Sequence, residues 1–290
     1  MGEDLAFQPD LAQITVIVVT YNSQHCIATL ANDLAVFPHI IFSDNASEDG
    51  TVAAVTTSLP QAQVLVNSRN LGFGAANNRA LSQVRTPFAL LLNPDCEIQT
   101  SAVQMLLHYM QQDPEAALAA PQLMRTNSAI DLNYRWATFS WQSRGAAAEG
   151  PCCVGFVTGA VMLLRMSRFD GLGFFDEDFF LYYEDDDLCL RLFAAQLPIV
   201  IVPDARVLHV SRGSVRGKSP WRAEYWRGYH HVQSKILLTR KYRGDADAQR
   251  LLWRTRLLAC LGLPLRLLLP QPKLVARWCG RLVGAWHSRN

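Results

Sequence analysis

The 290-residue sequence has no CxxC pair, and its seven cysteines (26, 96, 152, 153, 189, 260 and 279) are odd in number and follow no framework spacing. That argues against a disulfide scaffold and for reduced thiols in a cytosolic compartment. Low-complexity tracts and repeats at a solenoid period are absent. The opening residues, MGEDLAFQPD, contain no basic region, apolar core or cleavage site, so no signal peptide is expected. Their Met-Gly start resembles a myristoylation signal, but Ala6 stands where Ser or Thr is required. Long apolar runs are missing too: the most apolar stretch, residues 257 to 269, has 13 residues and contains Pro264 and Arg266, too short to span a bilayer. Charge is sparse at 18% against 50% apolar residues, which excludes disorder and still permits contact with a membrane surface.

What is present is a chain longer than the roughly 100 to 200 residues of one domain, so a main domain with an appendage, or one large α/β domain, is expected. Charge divides along the same line. Residues 205 to 290 carry 18 Lys and Arg against three acids, Glu224, Asp245 and Asp247, while the preceding 204 residues carry 9 against 22. Such asymmetry suggests a catalytic or binding body joined to a tail that meets something anionic.

The first hundred residues alternate between two periods. Continuous apolar runs at 14 to 20, 40 to 44, 63 to 67 and 88 to 93 read as buried strands, and helix-length segments at 24 to 36, 48 to 58 and 73 to 85 lie between them. Repeated strand, helix, strand implies right-handed crossovers and a parallel sheet, in which ligands bind beyond the carboxyl ends of the strands. Polar clusters occupy those ends: Thr20-Tyr21-Asn22-Ser23, Asp44-Asn45-Ala46-Ser47, residues 67 to 74, and Asn93-Pro94-Asp95. Any one of them could be a cap or turn, since Asp, Asn and Ser favour both, but four converging loops form one rim.

Several residues carry chemistry. Pro94 removes a backbone donor as the chain leaves its strand, and Asp95 suits a hard divalent cation such as Mg²⁺ or Mn²⁺. Residues 174 to 191, FFDEDFFLYYEDDDLCLR, set aromatic surface beside a carboxylate run, Glu184 to Asp187, that opens an amphipathic helix. Four adjacent acids repel one another and resist desolvation, which raises a pKa as a general base requires; capping of the helix dipole is the plainer reading. His209 precedes a basic stretch (Arg212, Gly213, Arg216, Gly217, Lys218) that could fold over a diphosphate. Residues 70 to 77 imitate a dinucleotide fingerprint, but Asn77 stands in for the third glycine. Gly72 and Gly74 then serve close backbone approach or the turn.

Seven blocks in order, VIVVTYNS (16 to 23), SDNASEDGT (43 to 51), NLGFGAANN (70 to 78), LLLNPD (90 to 95), GFVTGAVMLLRM (155 to 166), FDEDFFLYYEDDDLCLR (175 to 191) and HVSRGS (209 to 214), resemble glycosyltransferase family 2 and its bacterial rhamnosyltransferase-like branch. The resemblance implies an α/β GT-A fold, a mixed, mainly parallel sheet flanked by helices of the nucleotide-diphospho-sugar transferase type, spanning 1–217, with a C-terminal helical extension at 218–290. It implies an inverting enzyme that moves a sugar, L-rhamnose from dTDP-L-rhamnose by first choice, onto a saccharide acceptor. Thr20, Tyr21, Asn22, Asp44, Asn70, Gly72, Asn93 and Asp95 would bind the donor, with Asp44 on its pyrimidine. Asp95 and His209 would hold the metal. Asp185 would be the base, with Glu184 positioning the acceptor or assisting. The family's metal motif is commonly Asp-x-Asp; Asn93 replaces its first acid, so metal binding rests on Asp95. Asp186 and Asp187 leave the base open by one or two positions.

The tail reads as helices at 222 to 242, 246 to 258 continuing to 269, and 273 to 286. Arginines beside Trp253, Trp278 and Trp286 suit an anionic membrane interface, while helices packed on the main domain remain the alternative. No nucleic-acid motif accompanies the charge, so no nucleic-acid partner is expected. The expected location is peripheral, at the inner face of the cell membrane, with a lipid-diphosphate-linked saccharide as acceptor. A non-catalytic nucleotide-sugar binding protein, a transferase with a UDP- or GDP-sugar, and a nucleotidyltransferase are the rivals. The last should carry a glycine-rich basic loop after the first strand, and VTYNSQHC offers none.

Overall fold

β1 (Ile14–Thr20) is β-branched at almost every position, and Ile14, Val16 and Val18 face one core layer while Ile17 faces the other. A strand buried on both sides belongs at the centre of a sheet, and β1 sits there in a computed structural model that describes residues 10–136, 146–210, 220–267 and 271–288. Ala6, the basic stretch at 212, 213 and 216 to 218, and the expected boundary at 217 lie outside the described residues.

The chain continues through α1 (Gln24–Leu34), β2 (His39–Asp44), α2 (Thr51–Ser58), β3 (Gln63–Val66), α3 (Phe73–Leu81) and β4 (Phe88–Leu92). β3, β2, β1 and β4 lie side by side and parallel, as the alternation requires. There follow β5 (Cys96–Glu97), α4 (Thr100–Gln112), β6 (Leu118–Met124), β7 (Ile130–Asp131), β8 (Tyr134–Arg135), β9 (Cys152–Cys153), β10 (Phe156–Val157), β11 (Val161–Arg165), α5 (Glu184–Ala194) and β12 (Ile199–His209). β11 runs antiparallel between β4 and β6, and β12 pairs parallel with β6 and antiparallel with β5. The sheet is therefore mixed. Helices α1 and α4 cover one face through Leu30, Leu34, Leu106 and Met110; α3 and α5 cover the other through Ala80, Leu81, Leu188 and Leu192.

The tail forms α6 (Pro220–Arg243), α7 (Asp245–Leu267) and α8 (Pro272–His287), within a few residues of the expected helices. α6 and α8 cross at backbone contact. A Cβ on Gly280 would stand 1.9 Å from the Tyr225 carbonyl oxygen, and one on Gly228 2.1 Å from that of Arg277. α6 also packs on the main body, where Leu238 meets Phe179, Tyr183 and Leu190. All seven cysteines are free, as their spacing implies. No helix among the described residues is long and apolar enough to cross a membrane.

Candidate active site

The first two loops of the rim are tied together at Asp44. Its Oδ1 accepts from the Thr20 hydroxyl at 2.8 Å and the Ser47 hydroxyl at 2.5 Å, and Oδ2 accepts from the Ser47 amide at 2.8 Å. A carboxylate offers about four lone-pair sites, so roughly one, on Oδ2, is left for a ligand. Asn22 is left-handed at φ 52 and acts as the second staple: its amide donates to the Ser47 hydroxyl and its Oδ1 accepts from the Glu48 amide, each at 2.8 Å. The helix after this loop is capped by Asp49, whose Oδ1 accepts from the Thr51 amide at 3.0 Å. The polar residues of the second loop thus divide, Ser47 serving the rim and Asp49 the helix. Tyr21 is half-buried, with its amide on the Ser23 hydroxyl.

The third loop is a turn that meets the aromatic segment. Asn70 Oδ1 accepts from the Gly72 amide at 2.9 Å, Gly72 adopts φ +89, and a Cβ there would lie 2.1 Å from the Phe180 carbonyl oxygen. The Phe73 amide donates to that same carbonyl at 3.0 Å. A Cβ on Gly74 would likewise stand 2.9 Å from the Phe175 Cβ. Both glycines make room for the protein's own chain. A cavity of about 630 Å³ opens beside this loop, lined by Arg69, Asn70, Leu71, Asn78, Arg79 and Phe180 among others, away from Asp95 and His209.

The fourth loop ends at a buried carboxylate beside a half-buried imidazole. Asp95 Oδ1 lies 3.7 Å from His209 Nε2, and Cys96 Sγ completes a group of three donor atoms all within 4.8 Å of one another. Cross-strand register explains the meeting, because β5 sets Cys96 opposite His209 and the Val210 amide donates to the Asp95 carbonyl at 2.9 Å. A buried carboxylate beside an imidazole fits a divalent cation. Asn93 contributes structure here, its amide donating to the Ala160 carbonyl at 2.8 Å.

Four consecutive acids at the start of α5 have four different surroundings. Asp187, fully buried, accepts from Arg191, Lys241 and the Tyr242 hydroxyl at 2.8, 2.7 and 2.8 Å. Asp186 is paired with Arg135 at close range. Glu184 is buried, its Oε2 without a hydrogen-bond partner among the described residues, and burial together with Asp185 pushes its pKa well up. Asp185 keeps a partly open face; its Oδ2 accepts from the Gly159 amide at 3.1 Å and Oδ1 from the Asp186 amide at 2.9 Å. Burial and the Asp186 charge raise its pKa from 3.8 to about 7, against those two amides and Arg135. Asp185 alone of the four combines an open face, no cationic partner in direct contact and a pKa near neutrality.

Tyr182 and Tyr183, at φ 70 and 69, turn the chain into α5 through two successive left-handed residues. Each costs about 1 to 2 kcal/mol, so something must hold them. α6 does: the Ser234 hydroxyl donates to the Leu181 carbonyl at 2.8 Å, His231 Nε2 lies 3.3 Å from the Tyr183 hydroxyl, and Lys241 bridges Asp187 and Asp176. Burial lowers the His231 pKa to about 4, so that ring is neutral. Gly159 joins the loops: a Cβ there would stand 3.2 Å from the Phe73 ring and 3.8 Å from the Asp185 Cβ. Asp187 was named from the sequence only as an alternative base, and Arg135, Gly159, Lys241 and Tyr242 were not singled out there. Only Gly159, inside the block GFVTGAVMLLRM, lay in a segment that had drawn attention.

Comparison with known proteins adds to this geometry. The profile described as "Glycosyl transferase family 2" matches residues 15–170, more than half of the chain. The chain is 28% identical over 268 residues to an N-acetylglucosaminyl-diphospho-decaprenol L-rhamnosyltransferase of Mycobacterium tuberculosis, covering 80% of this chain and 85% of that protein. It is 41% identical over a shorter span of 56 residues, 19% of this chain and 21% of the other, to rhamnosyltransferase WbbL of Escherichia coli. Among solved structures, mannosyltransferase PcManGT of Pyrobaculum calidifontis in complex with GDP-Man and Mn²⁺ aligns with a TM-score of 0.57 at 18% identity, over 96% of this chain and 88% of that one. GalNAc-T7 with UDP, GalNAc and Mn²⁺ aligns at 0.56 and 13% identity, over 77% and 50%. The mixed α/β sheet with a helical C-terminal region is the GT-A-like fold of these neighbours.

Proposed function

Because the chain belongs to glycosyl transferase family 2, we propose that it transfers one sugar, L-rhamnose from dTDP-L-rhamnose, to a lipid-diphosphate-linked saccharide with inversion at the anomeric carbon. The enzyme is a glycosyltransferase; the donor, the acceptor and the stereochemistry are our reading. The observation that carries it is Asp185, the one partly open acid of the four without a cation in direct contact, with a pKa raised to about 7, held by the Gly159 amide next to Ala160, whose carbonyl takes the Asn93 amide of the fourth loop. The mycobacterial relative, matched over 85% of its length and named as an L-rhamnosyltransferase acting on N-acetylglucosaminyl-diphospho-decaprenol, supports the choice of substrates.

Asp185 takes the proton of the acceptor hydroxyl, whose oxygen forms a bond to the anomeric carbon as the bond from that carbon to the diphosphate oxygen breaks. The electron pair leaves with the nucleoside diphosphate, and attack from the opposite face inverts the centre. Burial and the Asp185 charge push the Glu184 pKa well up and so favour its neutral form, which limits charge repulsion at Asp185. Asp95 and His209 would hold Mg²⁺ or Mn²⁺, which when bound neutralises charge on the departing diphosphate. Thr20, Tyr21, Asp44 and Asn70 line the nucleotide end of the rim, where Asp44 keeps one acceptor site for the base. The basic helices rest on the inner face of the membrane, where such an acceptor is found.

Thermal-shift measurements with dTDP-rhamnose, UDP-sugars and GDP-mannose, with and without Mn²⁺, test the donor, and transfer to a polyprenyl diphosphate N-acetylglucosamine tests the acceptor. The expected result is stabilisation by dTDP-rhamnose with Mn²⁺ and formation of a disaccharide lipid. Stabilisation only by a UDP- or GDP-sugar overturns the donor, and binding without transfer overturns the catalytic reading.

A further inference from the structure

α7 is apolar on both of its faces. Ala248, Leu252 and Ala259 are buried against the neighbouring helices. The opposite stripe is no less apolar, yet Trp253, Leu257, Leu258 and Leu261 are 66, 60, 49 and 62% exposed. Spacings of three and four residues place them along one side of the helix over about two turns, with exposed Cys260 beside them. A helix with apolar character all round is buried in a core or in lipid, and no described residue covers this stripe.

The margins of the stripe identify its occupant. The Arg256 guanidinium sits over the rings of Trp253 and Trp286 at 5.6 and 4.6 Å and donates to the Ala285 carbonyl at 3.1 and 2.9 Å. It thereby fixes two exposed indoles, from α7 and α8, side by side with a cation between them. Arg250 and Arg254 are exposed at the near end. Between 220 and 288 the sequence carries 13 Lys and Arg against three acids. A second copy of this chain docked on the stripe would set arginine against arginine, whereas an anionic lipid surface answers the charge, takes the indoles at headgroup depth and accepts the leucines below.

We propose that the outer face of α7, built on Trp253, Leu257, Leu258 and Leu261 with Trp286 alongside, is the surface that enters an anionic bilayer to interfacial depth. This rests on the peripheral attachment proposed above and assigns it to one face.

The test is flotation of the full chain with vesicles of phosphatidylcholine alone and of phosphatidylcholine with phosphatidylglycerol, using wild type, the triple variant Trp253→Ser/Leu257→Asn/Leu261→Asn, and Arg250→Ser/Arg254→Ser. Thermal midpoints and transfer to a soluble acceptor analogue report folding. The expected results are binding of the wild type to the anionic vesicles, a loss of about a hundredfold in partitioning for the triple variant, and a weaker anionic preference for the arginine variant, with unchanged thermal midpoints. Wild type that floats while the triple variant floats equally well overturns the assignment to α7 and leaves peripheral attachment standing. Wild type that does not float overturns both. A wild-type dimer that the triple variant converts to monomer, read by light scattering, overturns the lipid assignment in favour of self-association.

Discussion

Asp185→Asn removes a carboxyl whose pKa burial and the Asp186 charge raise from 3.8 to about 7. The folded state holds this proton more tightly than the unfolded chain does, so the carboxyl's contribution to stability is present at low pH and is lost as pH climbs from about 4 to about 7. At about 1.4 kcal/mol per pKa unit, the cost of keeping Asp185 ionised above pH 7 reaches about 4 kcal/mol. The partly open face of the side chain lets water screen the charge and brings the working figure to roughly 2 kcal/mol. Asparagine carries no such cost. The variant should therefore melt several degrees above wild type at pH 8.5, at roughly 2 °C per kcal/mol for a chain of this length, and most of that gain should vanish at pH 5. Transfer should fall by about 10²- to 10⁴-fold, the usual contribution of a general base. In wild type the rate should rise with pH through about 7, opposite in direction to stability. Differential scanning fluorimetry at the two pH values, beside a transfer assay, reads both effects. A variant that keeps its transfer rate, or whose stability gain is the same at pH 5 and 8.5, refutes the reasoning.

Three further outcomes are expected. Lys241→Met leaves buried Asp187 with Arg191 and Tyr242 only, so kcat should fall about 10- to 100-fold through displacement of the α5 turn, with donor KM little changed and partial rescue by Lys241→Arg; steady-state kinetics decide it. Gly72→Ala places a methyl 2.1 Å from the Phe180 carbonyl at φ +89, and should lower the melting temperature by several degrees, for a cost of about 2 to 4 kcal/mol, and weaken donor-induced stabilisation. Asp95→Asn should abolish the Mn²⁺-dependent part of the thermal shift given by a nucleoside diphosphate, a readout that needs no catalysis.

The parallel half of the sheet was legible because β1 and β4 are near-continuous β-branched or apolar runs and β2 carries one at Ile40-Ile41-Phe42, a pattern that fits strands covered on both faces. The mixed half, from β5 to β12, was legible only as what the resemblance implies. β6 contains Pro121 and β12 contains Pro203, and a proline inside a strand suppresses the usual signal; in β12 it coincides with a shift of register between Val202 and Arg206. Of the site, Asp95 and His209 announced themselves by residue type and position, and the structure pairs them across β5 and β12. The carboxylate run was visible but its division of labour was not. Nothing in the letters separates Asp187, clamped by Lys241, from Asp185, which faces an amide, because the partners come from remote segments. Gly72 looked like a ligand-facing glycine, and its neighbour is Phe180. The exposed stripe of α7 was read as part of a basic amphipathic tail; only coordinates show which face of the helix is uncovered.

The grip of α6 on Asp187 spans 55 positions of chain. During synthesis, a polypeptide that has emerged as far as α5 already contains Asp185, yet the carboxylate two residues beyond it still lacks Lys241 and Tyr242, and the left-handed tyrosines lack their brace. Competence for transfer is thus a late event in biosynthesis, withheld until the helices that would meet the lipid have themselves been made.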